Sequence, residues 1–407
     1  MNEKFTEYAG LITRVGANVQ QGQTVVISCP VDCAYFARLL AGQCYDAGAK
    51  EVVFRWSDDA LTKMRYMRAR DDVFDEVAPW FIDFYNYYAK QGAALISVYA
   101  TDPDLLKDVP PDRIQRDNRT KGLALTEFRN MQMNNEFPWC IVSIPTPDWA
   151  QKVFPSETGQ TAVEKLWDAI FAATLVGGGD AVKRWREKID MMLLRAKKLT
   201  EYNFSKLIYS NKLGTNLTIE LPERHKWMAC GERSHTGVTF VANIPSEEIF
   251  TSPKRDGVNG VVYSSKPLSL DGKLIEDIVF TIENGKIVEA TASSGLEFLL
   301  NAIDLDEGAR YLGEVALVPF HSPISDMNLL FYNTLFDENA SCHLAFGKAY
   351  PTFTDGEELS EQEMKERGLN DSITHEDFMI GTEDLSITGV KSSGETVPVF
   401  INGNFAF

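Results

Sequence analysis

One short stretch concentrates side chains that could perform chemistry, in a chain with only five histidines. DENASCHLAFGKAYP, residues 337–351, offers a carboxylate in Glu338, an imidazole in His343 and a phenol in Tyr350. Its glycine and proline argue against one continuous helix. A packed or capping histidine would explain His343 taken alone, so a functional interpretation needs partners elsewhere in the chain.

A second histidine lies close to a carboxylate. THEDFMIG, residues 374–381, places His375 and Asp377 two positions apart. In a strand, this spacing sends both side chains to the same face. A neutral imidazole and a carboxylate on one face form a half-site for a divalent metal ion. On spacing alone, a histidine that orients a structural aspartate is the more common explanation.

Two glutamates lie in segments where burial of a charged side chain would be unfavourable. Glu248 lies beside Glu247 between two prolines in NIPSEEIFTSP (243–253), and Glu314 interrupts the apolar run YLGEVALVPF (311–320). Burying a carboxylate is unfavourable unless it is paired or bound to metal. Each glutamate alone is more often a satisfied structural acid.

Taken together, these acids and histidines supply the oxygen and nitrogen ligands that two divalent ions need. Their segments resemble, in chain order, the motifs of the M29 metallopeptidases of the aminopeptidase T and aminopeptidase S type: NIPSEEIFTSP, the LGE of YLGEVALV, DENASCHLAFGKAYP and H-x-DFMIG. VVISCPVDCAYFARLL and AGAKEVVFRW are also similar to that family. The resemblance therefore extends from near residue 20 to the C-terminus, and four motifs in order make it specific.

The resemblance implies a two-domain, metal-dependent aminopeptidase that releases N-terminal amino acids from peptides with a hydroxide activated by two metal ions. It also implies a homodimer. The donor set is compatible with zinc, cobalt, manganese or magnesium. The implied metal ligands are Glu248, Glu314, Glu338, His343, His375 and Asp377.

Individual roles follow from the same resemblance. Glu314 would bridge both ions, and Glu247 would not be a ligand. Glu338 would be a metal ligand, a carboxylate that contacts the ligands without binding metal, or the general base. Tyr350 would be a ligand or would stabilise the transition state.

The elements that must position these residues fall into two halves. In the first half, TVVISCP (24–30), an apolar helical pattern and EVVFRW (51–56) predict a parallel βαβ unit. ALISVY (94–99) and WCIVSI (139–144) predict further strands. We therefore expect an α/β domain with a mostly parallel sheet over residues 1–200.

The second half is dominated by short strands and turn signals. Asn284-Gly285 and Asp271-Gly272 between apolar residues predict two hairpins. Within the acidic stretch 354–371, Ser360 and Glu363 predict a capped surface helix. We expect a β-rich α+β domain over residues 201–407 that carries the metal site.

Composition excludes several classes of function. A chain of 407 residues exceeds one compact core, and a net charge of −18 argues against nucleic acid and anionic membranes as partners. No apolar window is long enough for a membrane-spanning helix. The N-terminus lacks a secretory pattern and the six cysteines are scattered, so we expect a cytoplasmic protein with reduced thiols.

Two other functions remain open at this level. One is a two-metal hydrolase that acts on a non-peptide amide or ester, and the other is a non-catalytic binding protein whose acids are structural. For the aminopeptidase, the expected partners are peptides with a free N-terminus. The chain contains no H-E-x-x-H, no G-x-S-x-G and no Walker loop.

Overall fold

The computed structural model of the protein describes residues 2–270, 273–352 and 360–407. The chain forms two compact units, Met1–Lys188 with Gly231–Pro245, and Ile189–Cys230 with Ser246–Phe407. The domain boundary near residue 200 stays a prediction, because compactness in space does not by itself define an independently folding domain.

The described residues contain α-helices in both units. In chain order they are α1 (Asn2–Leu11), α2 (Ala34–Asp46), α3 (Asp59–Arg68), α4 (Pro79–Lys90), α5 (Pro111–Ala124), α6 (Thr126–Met133), α7 (Pro147–Val153), α8 (Gln160–Ala173), α9 (Ala181–Tyr202), α10 (Leu296–Ile303), α11 (Thr334–Asp337) and α12 (Glu361–Glu366).

The strands of the described residues are concentrated after residue 200. In chain order they are β1 (Thr24–Pro30), β2 (Glu51–Ser57), β3 (Ala94–Val98), β4 (Trp139–Val142), β5 (Phe204–Ser210), β6 (Asn216–Glu220), β7 (Met228–Ala229), β8 (Glu232–Arg233), β9 (Thr239–Phe240), β10 (Asn243–Ile244), β11 (Ile249–Thr251), β12 (Val258–Tyr263), β13 (Leu268–Leu270), β14 (Lys273–Ile275), β15 (Val279–Glu283), β16 (Lys286–Thr291), β17 (Leu312–Leu317), β18 (His343–Gly347), β19 (His375–Met379), β20 (Ser386–Lys391), β21 (Thr396–Ile401) and β22 (Asn404–Phe405).

The first unit is built on a parallel sheet with the order β10-β4-β3-β1-β2. The predicted βαβ unit is confirmed, since β1 and β2 pair in parallel and α2 connects them. Gly48 follows α2 with a φ of 97°, a conformation that suits a glycine after a helix end. Buried Val26 and Leu95 pack with Ala89 of α4 and Phe128 of α6. The predicted α/β architecture is therefore present.

The second unit contains an eight-stranded antiparallel sheet and a five-stranded antiparallel sheet. The orders are β16-β15-β12-β6-β5-β20-β21-β22 and β19-β18-β17-β11-β7. Phe280 of the larger sheet meets Phe346 and Phe378 of the smaller one, with ring centroids 6.2 Å and 5.1 Å away. One face of the five-stranded sheet is thereby covered, which leaves the other face to carry functional side chains.

One predicted hairpin turn and one predicted helix cap lie within the described residues. Asn284 and Gly285 join β15 to β16 with φ angles of 49° and 83°, as expected for a two-residue hairpin. Residues 271 and 272 lie outside the described residues, although the flanking strands β13 and β14 pair antiparallel. Ser360 and Glu363 form the predicted capping box of α12, while residues 354–359 of the acidic stretch lie outside the described residues.

Two further properties bear on the chemistry. All six cysteines are buried, and none of them forms a disulfide bond. Among the described helices, none combines the length and apolar character that crossing a membrane requires.

Candidate metal centre

The face of the five-stranded sheet that points away from Phe280 gathers most of the predicted site residues. Antiparallel partners point to the same side of a sheet. Ala345 of β18 pairs with Glu314 on one side and with Asp377 on the other. In neighbouring positions, His343 pairs with Ala316, and His375 pairs with Gly347. The predicted common face of His375 and Asp377 is confirmed, because β19 is a strand.

Small residues separate the functional side chains on this face. Ala316, Ala345 and Gly347 lie between the carboxylates and imidazoles in the pairing pattern. Gly347 has a φ of 106°, and a Cβ there would lie 2.2 Å from the Thr374 carbonyl oxygen. Larger side chains at Ala316 and Ala345 would project toward the ligands, whereas a side chain at Gly347 would collide with the Thr374 backbone.

The first group of potential metal ligands consists of Glu248, Glu314 and His343. Glu248 immediately precedes β11, the neighbour of β17. His343 Nε2 lies 3.1 Å from Glu248 Oε2 and 3.8 Å from Glu314 Oε1. The His343 side chain is 1% exposed, so these contacts are shielded from water.

The second group consists of Glu314, His375 and Asp377. His375 Nε2 lies 3.3 Å from Glu314 Oε2 and 3.6 Å from Asp377 Oδ1. The two oxygens of Glu314 therefore face different histidines, Oε1 toward His343 and Oε2 toward His375. In each group the potential ligand atoms lie within 4.8 Å of one another.

Backbone carbonyls orient both imidazoles. His343 Nδ1 lies 3.1 Å from the Ser341 carbonyl oxygen, and His375 Nδ1 lies 2.7 Å from that of Lys348. A carbonyl oxygen only accepts hydrogen bonds, so each Nδ1 carries a proton. In the neutral ring, the Nε2 lone pair then faces carboxylate oxygens. This arrangement requires either a proton on Nε2 or a cation between the groups.

The carboxylates and imidazoles shift one another's pKa values. Burial alone would raise the pKa of Glu314, but His343 and His375 outweigh it and lower that pKa to about 2. Burial lowers the pKa of His343, yet Glu248 and Glu314 together raise it well above its ordinary value. The pKa of Glu248 is raised by burial and by the neighbouring charge of Glu314.

Glu338 and Tyr350 border the two groups. Burial, followed by the charges of Asp377 and Glu248, raises the pKa of Glu338 well above its ordinary value. The Tyr350 ring packs edge-on against His375, with centroids 5.0 Å apart. Burial raises the pKa of the Tyr350 phenol, so the hydroxyl keeps its proton at neutral pH.

The residues present are chemically suited to hold divalent metal ions. Carboxylates and Nε2-directed imidazoles are the ligand types that such ions accept. Among the described residues, Asp377 Oδ1 is buried without a hydrogen-bond partner, as expected for an oxygen reserved for a cation. The structure brings together Glu248, Glu314, His343, His375 and Asp377, and Glu338 lies beside them without belonging to either group.

One contributor was not predicted from the sequence. The side chain of Asn339, which is fully buried, accepts a hydrogen bond from the Glu247 backbone and contacts Glu338. Its adjacency to Glu338 was visible in the DENAS segment, but an asparagine in a polar segment gives no signal of its own.

Comparisons with known proteins identify the family to which these motifs belong. A family model described as "Thermophilic metalloprotease (M29)" matches residues 1–405. Aminopeptidase 2 from Geobacillus stearothermophilus is 44% identical over 406 residues, covering 100% of this chain and 98% of the relative. Aminopeptidase AmpS from Bacillus subtilis (strain 168) is 43% identical over 407 residues, covering 100% and 99%.

A solved structure has the same fold. Wild-type AmpT from Thermus thermophilus superimposes with a TM-score of 0.94 at 34% sequence identity, covering 100% of both chains. The family resemblance and the fold class predicted from the sequence are confirmed, and the chain belongs to the M29 family of metalloproteases.

Proposed function

We propose that this chain is an aminopeptidase that hydrolyses peptides from their free N-terminus at a centre holding two divalent metal ions. The family and the names of its relatives bear out the class, a metalloaminopeptidase. The two-metal mechanism and the residue roles are our proposal. The observation that carries it is Glu314, which belongs to both groups of potential ligands and directs one oxygen toward His343 and the other toward His375.

In this proposal Glu314 would be a ligand of both ions. Glu248 and His343 would hold one ion together with it, and His375 and Asp377 would hold the other. The Nδ1 contacts to backbone carbonyls fix the tautomer that presents both Nε2 atoms as ligands. When bound, divalent ions lower the pKa of coordinated water and polarise a carbonyl oxygen.

Glu338 acts as the general base. A general base must accept a proton from water and pass it to the leaving amine. It must therefore lie at the site with a carboxylate oxygen that is not occupied by a metal ion. Glu338 borders the potential ligands and belongs to neither group. In the metal-free site its pKa is raised by burial and by neighbouring carboxylates, which suits a group that accepts protons.

Tyr350 stabilises the transition state. Its phenol keeps its proton because burial raises its pKa, so it can donate a hydrogen bond to the oxyanion that develops on the scissile carbonyl. The edge-on contacts with His375 and with Phe250, at 5.0 Å and 5.8 Å between centroids, hold the ring at the site.

Specificity for a free N-terminus would come from the metal centre itself. Its four carboxylates would offset the charge of two divalent ions, and one of those ions would hold the neutral α-amine of the substrate. Assembly as a homodimer and a cytoplasmic location remain predictions from the resemblance and from the N-terminal pattern.

The decisive experiment compares substrates and a metal-site variant. We expect cleavage of amino-acid p-nitroanilides and short peptides with a free N-terminus, loss of activity with a chelator, and no cleavage of N-blocked peptides. Glu314→Ala should lose bound metal and activity together. The matched control is Glu376→Ala, because Glu376 pairs with Phe346 on the opposite face of the sheet.

Three results would contradict the proposal. Peptide cleavage that survives chelation argues against a metal mechanism, and equal cleavage of blocked and unblocked peptides argues against an exopeptidase. Chelator-sensitive cleavage of non-peptide amides or esters alone would identify the other kind of two-metal hydrolase.

A further inference from the structure

We propose that Asn339 is a positioning residue that holds the carboxylates of Glu248 and Glu338 in place across the metal centre. This inference rests on the proposed function, since it concerns how the two-metal site is assembled. Asn339 lies in the 3-10 turn Glu338–Ala340 between α11 and β18.

Asn339 joins two segments that are far apart in sequence. Its side-chain oxygen accepts a hydrogen bond from the Glu247 backbone N–H at 2.6 Å. Its Nδ2 donates to the Leu335 carbonyl oxygen at 3.0 Å and to Glu338 Oε1 at 3.3 Å. The side chain is 0% exposed, so these bonds do not compete with water.

Glu248 and Glu338 need such a connection more than the other site residues do. Glu314, His343 and Asp377 lie within paired strands, and their separations follow from the register of the sheet. Glu248 precedes its strand, and Glu338 lies outside the sheet. No strand pairing therefore fixes the distance between these two carboxylates, which also repel each other.

The amide chemistry of Asn339 suits this role. One end accepts from the backbone beside Glu248, and the other donates to an oxygen of Glu338. Donation to Oε1 orients the Glu338 carboxylate and leaves its second oxygen available to the centre. An aspartate would keep the bond from Glu247 but would repel Glu338, so Asn339→Asp separates positioning from the simple filling of space.

The test titrates the chelator-stripped protein with Co²⁺ and measures steady-state kinetics of the metal-loaded enzyme. For Asn339→Asp we expect Co²⁺ affinity to fall about 10- to 100-fold, as for other groups that support metal ligands. We expect kcat to fall by a similar factor while KM changes less than about twofold, since Asn339 is fully buried and offers no surface to a substrate. Asn339→Ala adds no charge and provides the same test if Asn339→Asp does not fold.

The matched control is Asn370→Asp. Asn370 is a buried asparagine, 3% exposed, that donates to the carbonyl oxygens of Gly308 at 2.8 Å and Gly347 at 2.6 Å. Its side-chain oxygen accepts from Arg255 Nε at 3.1 Å. None of these partners is a proposed ligand, so this variant should lose thermal stability and keep the Co²⁺ affinity of the wild type.

Two outcomes would overturn the inference alone. These are wild-type Co²⁺ affinity and kcat in a folded Asn339 variant, and equal losses of affinity in the Asn339 and Asn370 variants. A wild-type protein that binds no Co²⁺ and hydrolyses peptides without regard to chelators would overturn the proposed function as well.

Discussion

At the scale of single residues, the balance of charge around Glu314 decides what the centre can bind. Glu314 is nearly buried, with 6% of its side chain exposed, and both of its oxygens face imidazoles. In the metal-free protein, protons on these imidazoles hold the carboxylates together. A divalent metal ion held by the same imidazoles and carboxylates would also supply positive charge, so metal binding should displace these protons.

This exchange predicts a release of protons when metal binds. Burial would lower the pKa values of His343 and His375, but their neighbours raise both well above 6.5. Both rings therefore carry a second proton at pH 7 in the metal-free protein and must lose it to bind metal. We expect protons to be released when metal binds at pH 7, from both imidazoles and from Glu338, whose pKa is also raised. The number of protons released should decrease as the pH rises through the elevated pKa values of the metal-free site.

Calorimetry in buffers of different ionisation enthalpy measures this release. Repeating the titration at a pH above the elevated pKa values is the internal control, because the rings are then already neutral. Metal binding at pH 7 without proton release would show that the imidazoles are neutral before metal arrives.

Glu338 carries a second prediction at this scale. If Glu338 is the general base and not a ligand, replacing its carboxylate with a neutral amide should leave the bound metal in place. We expect Glu338→Gln to keep both ions while kcat falls about 10²- to 10⁴-fold. Metal analysis and kinetics on the same preparation check this. Glu247→Gln is the matched control, because Glu247 is predicted not to be a ligand.

Loss of one ion from Glu338→Gln would instead identify Glu338 as a ligand. The sequence left that choice open because residue type and spacing do not reveal which carboxylate faces which atom. The rarity of histidine and the apolar or proline-bounded setting of the acids singled out candidate segments, and the resemblance to the M29 motifs supplied the ligand set. The structure brings five of the six predicted ligands together, and their role as ligands stays a prediction.

At the scale of elements, sequence patterns predicted the first unit more completely than the sheet that carries the site. β1 and β2 coincide with the apolar runs from which they were predicted. β17 and β18 are buried throughout, so no apolar-polar alternation reports which side of each strand faces the centre. The pairing of Ala345 between Glu314 and Asp377 depends on register, which no local pattern encodes.

Because Ala345 pairs with both Glu314 and Asp377, a substitution at Ala345 tests whether this register shapes the metal centre. Valine at this position would place two methyl groups between Glu314 and Asp377. We expect Ala345→Val to fold with a destabilisation of about 1–3 kcal/mol, as for other over-packed sites, and to lose metal affinity. Metal titration and thermal unfolding measure the two effects separately.

Leu344→Met provides the comparison on the same strand. Leu344 pairs with Phe378 on the covered face, and a change of similar volume there should leave metal affinity unaltered. Unchanged metal affinity in Ala345→Val would mean that the space above Ala345 is not the space occupied by the ions.

At the scale of the whole molecule, every proposed ligand belongs to the unit formed by Ile189–Cys230 and Ser246–Phe407. Metal binding should therefore stabilise that unit specifically. A ligand present at 100 times its dissociation constant contributes about 2.7 kcal/mol to the free energy of unfolding. Removing the ions also leaves the buried carboxylates to be balanced by protons alone.

Hydrogen exchange with and without a chelator tests where this stabilisation acts. We expect chelation to accelerate amide exchange in β17, β18 and β19, because these strands carry Glu314, His343, His375 and Asp377. Exchange in β1 and β3 of the other unit should stay unchanged. In Glu314→Ala, which should bind no metal, the chelator should have no further effect. Faster exchange in both units to the same extent, or in neither, would show that the ions do not stabilise the sheet proposed to hold them.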